Sequence, residues 1–204
     1  DQYINKALDT WHIPGAAVAV VKGDDVLHSG GYGFRDLAQS LPVTENTRFP
    51  IASMTKPFTA MGAALLVEKG LLSWDTPIRD YLPEFRLFDD YATQHATLRD
   101  LLSHRTGLPR HDATRYGTGQ SRRALIAGLR HLKPTTSFRG AWQYNNLMYE
   151  TVGHLCARVS GADTWQDFIQ THILDVLGLS DTTPNYVSPR EQLNDYALPY
   201  QLKP

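Results

Sequence analysis

The sequence predicts an α/β (α+β) protein, with an antiparallel sheet flanked by helices and joined to a mostly helical subdomain. Three stretches carry that expectation. Residues 16–21 are an apolar run of strand length, followed by a turn at Lys22-Gly23-Asp24-Asp25 and a second extended run at 26–30. Residues 58–69 repeat Phe58, Met61, Leu65 and Leu66 at helical spacing and stop at Gly70. Residues 146–160 do the same with Met148, Tyr149, Val152, Leu155, Cys156 and Val159, and stop at Gly161. The expected organisation is an N-terminal helix and first strands over 1–50, then a mostly helical part over 51–204.

In order, residues 1–11 read as a helix with Ile4, Ala7, Leu8 and Trp11 on one face, broken by Pro14-Gly15. The runs at 16–21 and 26–30 pair as a hairpin, so the sheet is antiparallel at least there. Gly30-Gly31-Tyr32-Gly33 has no phosphate-loop spacing and opens no helix, so these glycines read as places of backbone bending or close approach. Residues 35–48 read as a loop with short extended pieces. Pro77 sits at the start of a short helix over 78–82. Thr97 and Asp100 form a capping box for another short helix, and Arg105-Thr106-Gly107-Leu108-Pro109 turns the chain after it. A polar loop covers 110–120, a helix 121–132 and an extended piece 137–144. Asp163 or Thr164 caps a last helix with Trp165, Phe168 and Ile169 inward. The Pro- and Asn-rich tail, 180–204, holds one extended piece at 196–200.

Composition excludes several classes. The chain has 204 residues, 42% hydrophobic and 20% charged, as a globular core requires. Its net charge of −1 gives no electrostatic basis for a nucleic-acid partner. No apolar run reaches the roughly 18 residues of a membrane span. The single cysteine, Cys156, lies in the apolar stripe of 146–160 and reads as a packed thiol. The eight histidines form no His-Glu-x-x-His and no Cys-His cluster, so no metal and no other cofactor is expected. The chain opens at Asp1 without Met, which fits a removed leader and favours a periplasmic or secreted location.

The chemistry concentrates at Phe49-Pro50-Ile51-Ala52-Ser53-Met54-Thr55-Lys56-Pro57-Phe58. Ser53 is expected at a helix N-terminus, because Pro57 is tolerated only where its missing N–H has no intrahelical partner. Positions i and i+3 share a helix face, so the Ser53 hydroxyl and the Lys56 amine can meet. The serine needs a base, and a lysine with a pKa of about 10.4 serves only if burial or charge lowers it. Alone, Ser-x-x-Lys is a weak signal, and the plainer reading is a surface helix start with a Ser cap and a solvated Lys. Further on, Tyr144 and Asn146 lie two apart and project to one side of an extended stretch. The plainer reading is a buried Tyr beneath a helix that Asn146 caps.

Taken together, Ser53-x-x-Lys56 and Tyr144-x-Asn146 resemble the first two motifs of the serine β-lactamase and penicillin-binding-protein superfamily, in its class C β-lactamase, DD-peptidase and esterase branch. Arg48-Phe49-Pro50-Ile51-Ala52-Ser53, Trp74-Asp75-Thr76-Pro77-Ile78 and Leu101-Leu102-Ser103-His104-Arg105-Thr106-Gly107-Leu108-Pro109 resemble it too. The resemblance implies a β-lactamase/transpeptidase-like fold and a serine hydrolase (esterase, DD-carboxypeptidase or β-lactamase). Its substrate would be a small-molecule or peptide ester or amide, or a β-lactam. It implies Ser53 as acylated nucleophile, Lys56 and Tyr144 as the groups that move its proton, and Asn146 as substrate-binding. Either Lys56 or Tyr144 fits the base. It assigns the His104 segment to the wall of the site, against the Ser–His pairing that a histidine invites.

The family's third motif, Lys-Thr-Gly or His-x-Gly on a later strand, finds no match after Tyr144. The sheet is therefore expected to be incomplete here and to be finished by a second polypeptide segment. Two other readings stand beside the hydrolase. One is a penicillin-binding sensor or module that acylates without turnover. The other is a non-catalytic scaffold.

Overall fold

A computed structural model describes residues 1–114, 118–185 and 195–201. Residues 115–117 of the expected loop and most of the expected irregular tail lie outside the described residues. The chain forms two compact units, Asp1–Ala52 with the described residues after Pro184, and Ser53–Pro184.

In the first unit, helix α1 (Gln2–Trp11) ends at His12, whose left-handed φ of 53° closes it. Strands β1 (Gly15–Lys22), β2 (Asp25–Asp36) and β3 (Leu41–Pro42) make an antiparallel sheet in the order β1-β2-β3. β2 runs further than the 26–30 stretch because its glycines admit close neighbours. A Cβ on Gly31 would stand 2.3 Å from the Val43 carbonyl oxygen. Among the described residues the outer edge of β1 has no strand partner, and Val20, Val21, Val26 and Leu27 are exposed. The expected inner face of α1 is only partly buried: Leu8 is covered, whereas Trp11 is 72% exposed. Residues 195–201 belong with this unit rather than with the helical part. Asp195 draws them in by accepting from Thr47 Oγ1 at 2.7 Å and Thr44 Oγ1 at 2.9 Å, with Arg35 at 3.0 Å.

The second unit is helical and holds nearly all of the core. Its helices are α2 (Thr55–Glu68), α3 (Ile78–Tyr81), α4 (Asp90–His95), α5 (Leu98–Leu102), α6 (Arg122–Gly128), α7 (Asn146–Ser160) and α8 (Trp165–Ile169). α7 is central and packs against α2, α5, α6 and α8. Its stripe of Met148, Val152, Leu155 and Cys156 is buried, and Gly161 at φ 78° ends it. α2 turns a different side inward than its spacing suggests. Thr59, Gly62, Ala63 and Leu66 are buried, and Met61 is 49% exposed. The small residues let the ring of Phe168 on α8 come close, so that a Cβ on Gly62 would sit 2.6 Å from it.

α5 has the full capping box, with Thr97 Oγ1 accepting from Asp100 N and Asp100 Oδ2 from Thr97 N. No strand forms over 137–144, where a turn at 138–140 interrupts the expected extended piece. Arg139 adopts φ 62°, donates its amide to Arg105 O at 2.8 Å, and grips Asp100 through Nε at 2.8 Å and Nη2 at 2.7 Å. That clamp fixes the approach to α7. α6 stops at Gly128, earlier than residue 132, and continues as a 3-10 turn over Leu129–His131.

Candidate active site

Ser53 lies in a 3-10 turn, Ala52–Met54, that feeds directly into α2, one step earlier than a place inside the α-helix. Lys56 is the second residue of α2 and Pro57 the third, in the first turn where no N–H is needed. Asn145, not Asn146, caps α7. Its Oδ1 accepts from Met148 N at 3.3 Å and its Nδ2 donates to Pro109 O at 2.8 Å. Asn146 is thereby the first helical residue, with its side chain free for the site.

The structure brings the four side chains together. Ser53 Oγ and Tyr144 Oη are 2.5 Å apart. Lys56 Nζ donates to Tyr144 Oη at 2.5 Å, to Asn146 Oδ1 at 2.7 Å and to Ser53 Oγ at 3.2 Å. An ammonium has three hydrogens, and each has an acceptor here. Asn146 Nδ2 donates to Asp112 Oδ1 at 2.8 Å, which sets the amide so that its oxygen faces Lys56. Arg110, ion-paired with Asp112, lies 5.2 Å from the centre of the Tyr144 ring. Asp112 and Arg110 are the residues that sequence reasoning missed. They sit in a polar loop with no periodicity or motif to mark them.

Two tyrosines of the site are driven in opposite directions. Burial works to raise the Tyr144 phenol, but hydrogen bonds from Lys56 and Ser53, with the charges of Lys56 and Arg110, outweigh it and hold it below the usual tyrosine range. Tyr149 is pushed up by burial and by its neighbour Tyr144, and its hydroxyl donates to Leu102 O at 2.9 Å. Tyr149 therefore holds its proton more firmly than Tyr144 does. The α2 N-terminus also favours negative charge near Ser53.

His104 is buried and its pKa is lowered, first by burial and then by the charge of Lys56. Its Nδ1 accepts from Asn145 N at 3.1 Å. That lone pair is occupied, so it is not free to take a proton from a serine. Among the described residues, no group of three or more His, Cys, Asp or Glu side chains could hold a metal ion. No described helix is long and apolar enough to cross a membrane.

A serine, a lysine and a tyrosine share hydrogen bonds at one helix mouth, an arrangement in which a neighbouring base can activate a hydroxyl. The chain belongs to the Beta-lactamase family, whose family model matches residues 1–202. It is 35% identical over 191 residues to unguisins hydrolase ungD of Aspergillus violaceofuscus, covering 89% of this chain and 33% of that protein. It is similar to the octameric penicillin-binding protein homologue from Pyrococcus abyssi, with a TM-score of 0.83, 26% identity, and 99% and 47% of the two chains covered. It is also similar to a class C β-lactamase from Rhodobacter sphaeroides, with a TM-score of 0.72, 30% identity, and 87% and 48% covered. The fold is thus β-lactamase/transpeptidase-like, and the chain spans half or less of each of these relatives.

Proposed function

We propose that Ser53 is the nucleophile of a serine hydrolase, attacking an ester, amide or β-lactam carbonyl to form an acyl-enzyme. The observation that carries this reading is the closed set of contacts among Ser53 Oγ, Lys56 Nζ and Tyr144 Oη, all between 2.5 and 3.2 Å. Tyr144 is the base in this proposal. It is nearer to Ser53 Oγ than Lys56 is, and its phenol is the group whose ionisation is favoured. As the Oγ–carbonyl bond forms, the Ser53 proton passes to the Tyr144 oxygen. Tyr144 then returns it to the leaving group as the tetrahedral intermediate collapses. Lys56 stays an ammonium and stabilises the phenolate, and Asn146 orients Lys56 and the substrate amide. The Ser53 N–H, ahead of α2, supplies one oxyanion donor. A second donor and the remaining pocket come, in this proposal, from a further polypeptide segment.

The test is covalent labelling with a fluorescent penicillin and a fluorophosphonate, with mass spectrometry to locate the adduct. Label on Ser53 that is lost over time fits a hydrolase. Penicilloyl label that persists fits a penicillin-binding module without turnover, whereas the phosphonyl adduct is stable in either case and serves only to locate the nucleophile. A Ser53→Ala protein that labels as well as wild type removes both.

A further inference from the structure

We infer that His104 is a positioning residue for Tyr144, holding the backbone on both sides of the phenol through two acceptors. The inference rests on the reading of Tyr144 as the proton carrier. His104 follows α5 at φ 59°, the left-handed region that Asn, Asp and His enter more readily than other side chains do. In that pose it faces one short segment with two acceptors. Its carbonyl accepts from Gln143 N at 2.9 Å, and its Nδ1 accepts from Asn145 N at 3.1 Å. The residue between those two amides is Tyr144. Its ring lies against the imidazole, with centroids 4.8 Å apart, and the Tyr149 ring lies 5.2 Å from the same imidazole.

The contact is dry. Asn145 is fully buried and His104 is 7% exposed, so water does not replace a lost acceptor. An imidazole that accepts at Nδ1 carries its hydrogen on Nε2 and is neutral. The groups that face it are Lys56 from α2, Tyr144 from the segment ahead of α7, and Tyr149 from α7. A nearby ammonium and burial both favour the neutral ring. The consequence is geometric: Tyr144 Oη must stay within 2.5 Å of two partners, and a displacement of about 1 Å can cost ~10²-fold in rate.

A space-filling role makes a different forecast, and substitution separates the two. His104→Gly keeps the left-handed backbone and removes the acceptor. His104→Asn keeps the backbone preference and places Oδ1 where Nδ1 stands, although it fills less space. The readout is the phenol itself: tyrosines carrying 13C at Cζ are titrated by NMR, and Tyr144→Phe assigns the signal. In wild type Tyr144 titrates below the usual value of about 10. In His104→Gly it moves up toward that value, as the oxygen leaves Lys56, and in His104→Asn it returns. No movement in His104→Gly, or equal movement in both variants, overturns the inference. Should His104→Gly fail to fold, His104→Gln, whose acceptor stands one bond further out, is read against His104→Asn in the same way. Fluorophosphonate labelling of Ser53 is followed in parallel, with a fall of about 10²-fold in the glycine variant and recovery in the asparagine variant. Wild type that never labels removes the acyl-transfer reading, and the NMR titration still decides the role of His104.

Discussion

At the scale of single residues, the two tyrosines carry the argument. Tyr144→Phe removes the proposed base while keeping the ring, and is expected to slow acylation by about 10²–10⁴-fold with little change in thermal stability. Stopped-flow labelling with a fluorescent penicillin measures it. In wild type the labelling rate should rise with pH through the lowered pKa of Tyr144 and level off above it. The sign for stability is the same. A phenol with a depressed folded pKa adds stability that is full above about 10 and lost as pH falls through the folded value. The shift therefore stabilises only above the folded value. Asp112→Ala leaves the Asn146 amide without its anchor, and the labelling rate should fall between those of wild type and Asn146→Ala. The meeting of Ser53 with Lys56 was legible from i, i+3 spacing, whereas the i, i+2 argument for Tyr144 and Asn146 assumed an extended stretch; Asn146 instead opens α7, and the two side chains meet only through Lys56 Nζ. That the two pairs converge came only from resemblance, since 88 residues separate Lys56 from Tyr144. Asp112 left no trace in the sequence, because its role comes from where a loop passes.

Among the elements, the clamp on α5 makes the sharpest forecast. Burial alone would raise Asp100. Hydrogen bonds from Arg139 and Thr97, with the Arg139 charge, overcome that and hold it below the usual carboxylate range. Its contribution is then full above the ordinary value of about 3.9 and is lost as pH falls through the lower folded value. Acid unfolding of wild type should show that step, and Asp100→Asn should lack it, being less stable at neutral pH. The loss should be smaller than the roughly 3–5 kcal/mol of a fully buried pair, because the Arg139 side chain is 42% exposed. On α2, Gly62→Ala drives a methyl group into the Phe168 ring and should cost about 1–3 kcal/mol in denaturant unfolding. Elements with clear ends were legible. α7 begins and ends as its stripe and Gly161 indicate, and Thr164 caps α8. α4 was not, since Asp90-Tyr91-Ala92-Thr93-Gln94-His95 has no apolar repeat. Periodicity also cannot say which side of α2 meets its neighbours. Phe168 chose the glycine side.

For the molecule as a whole, stability is expected to be uneven. The helical unit holds the fully buried side chains, among them Leu66, Ile78, Phe85, Leu101, Met148 and Phe168, and the sheet leaves several valines and a leucine exposed. Hydrogen exchange should be slowest in the middle of α7 and fastest along the outer edge of β1. Equal protection in the two would contradict the described packing. One buried group turns this difference into a chemical clock. Cys156 faces the centre of the helical unit, wholly covered, and burial pushes its thiol up to about 12. Alkylating and disulfide reagents need an accessible thiolate. They should leave the native chain untouched and modify it once per molecule, at the pace of helix-core opening. The lone sulfur thus reports disassembly of the core from a sample that carries no added probe.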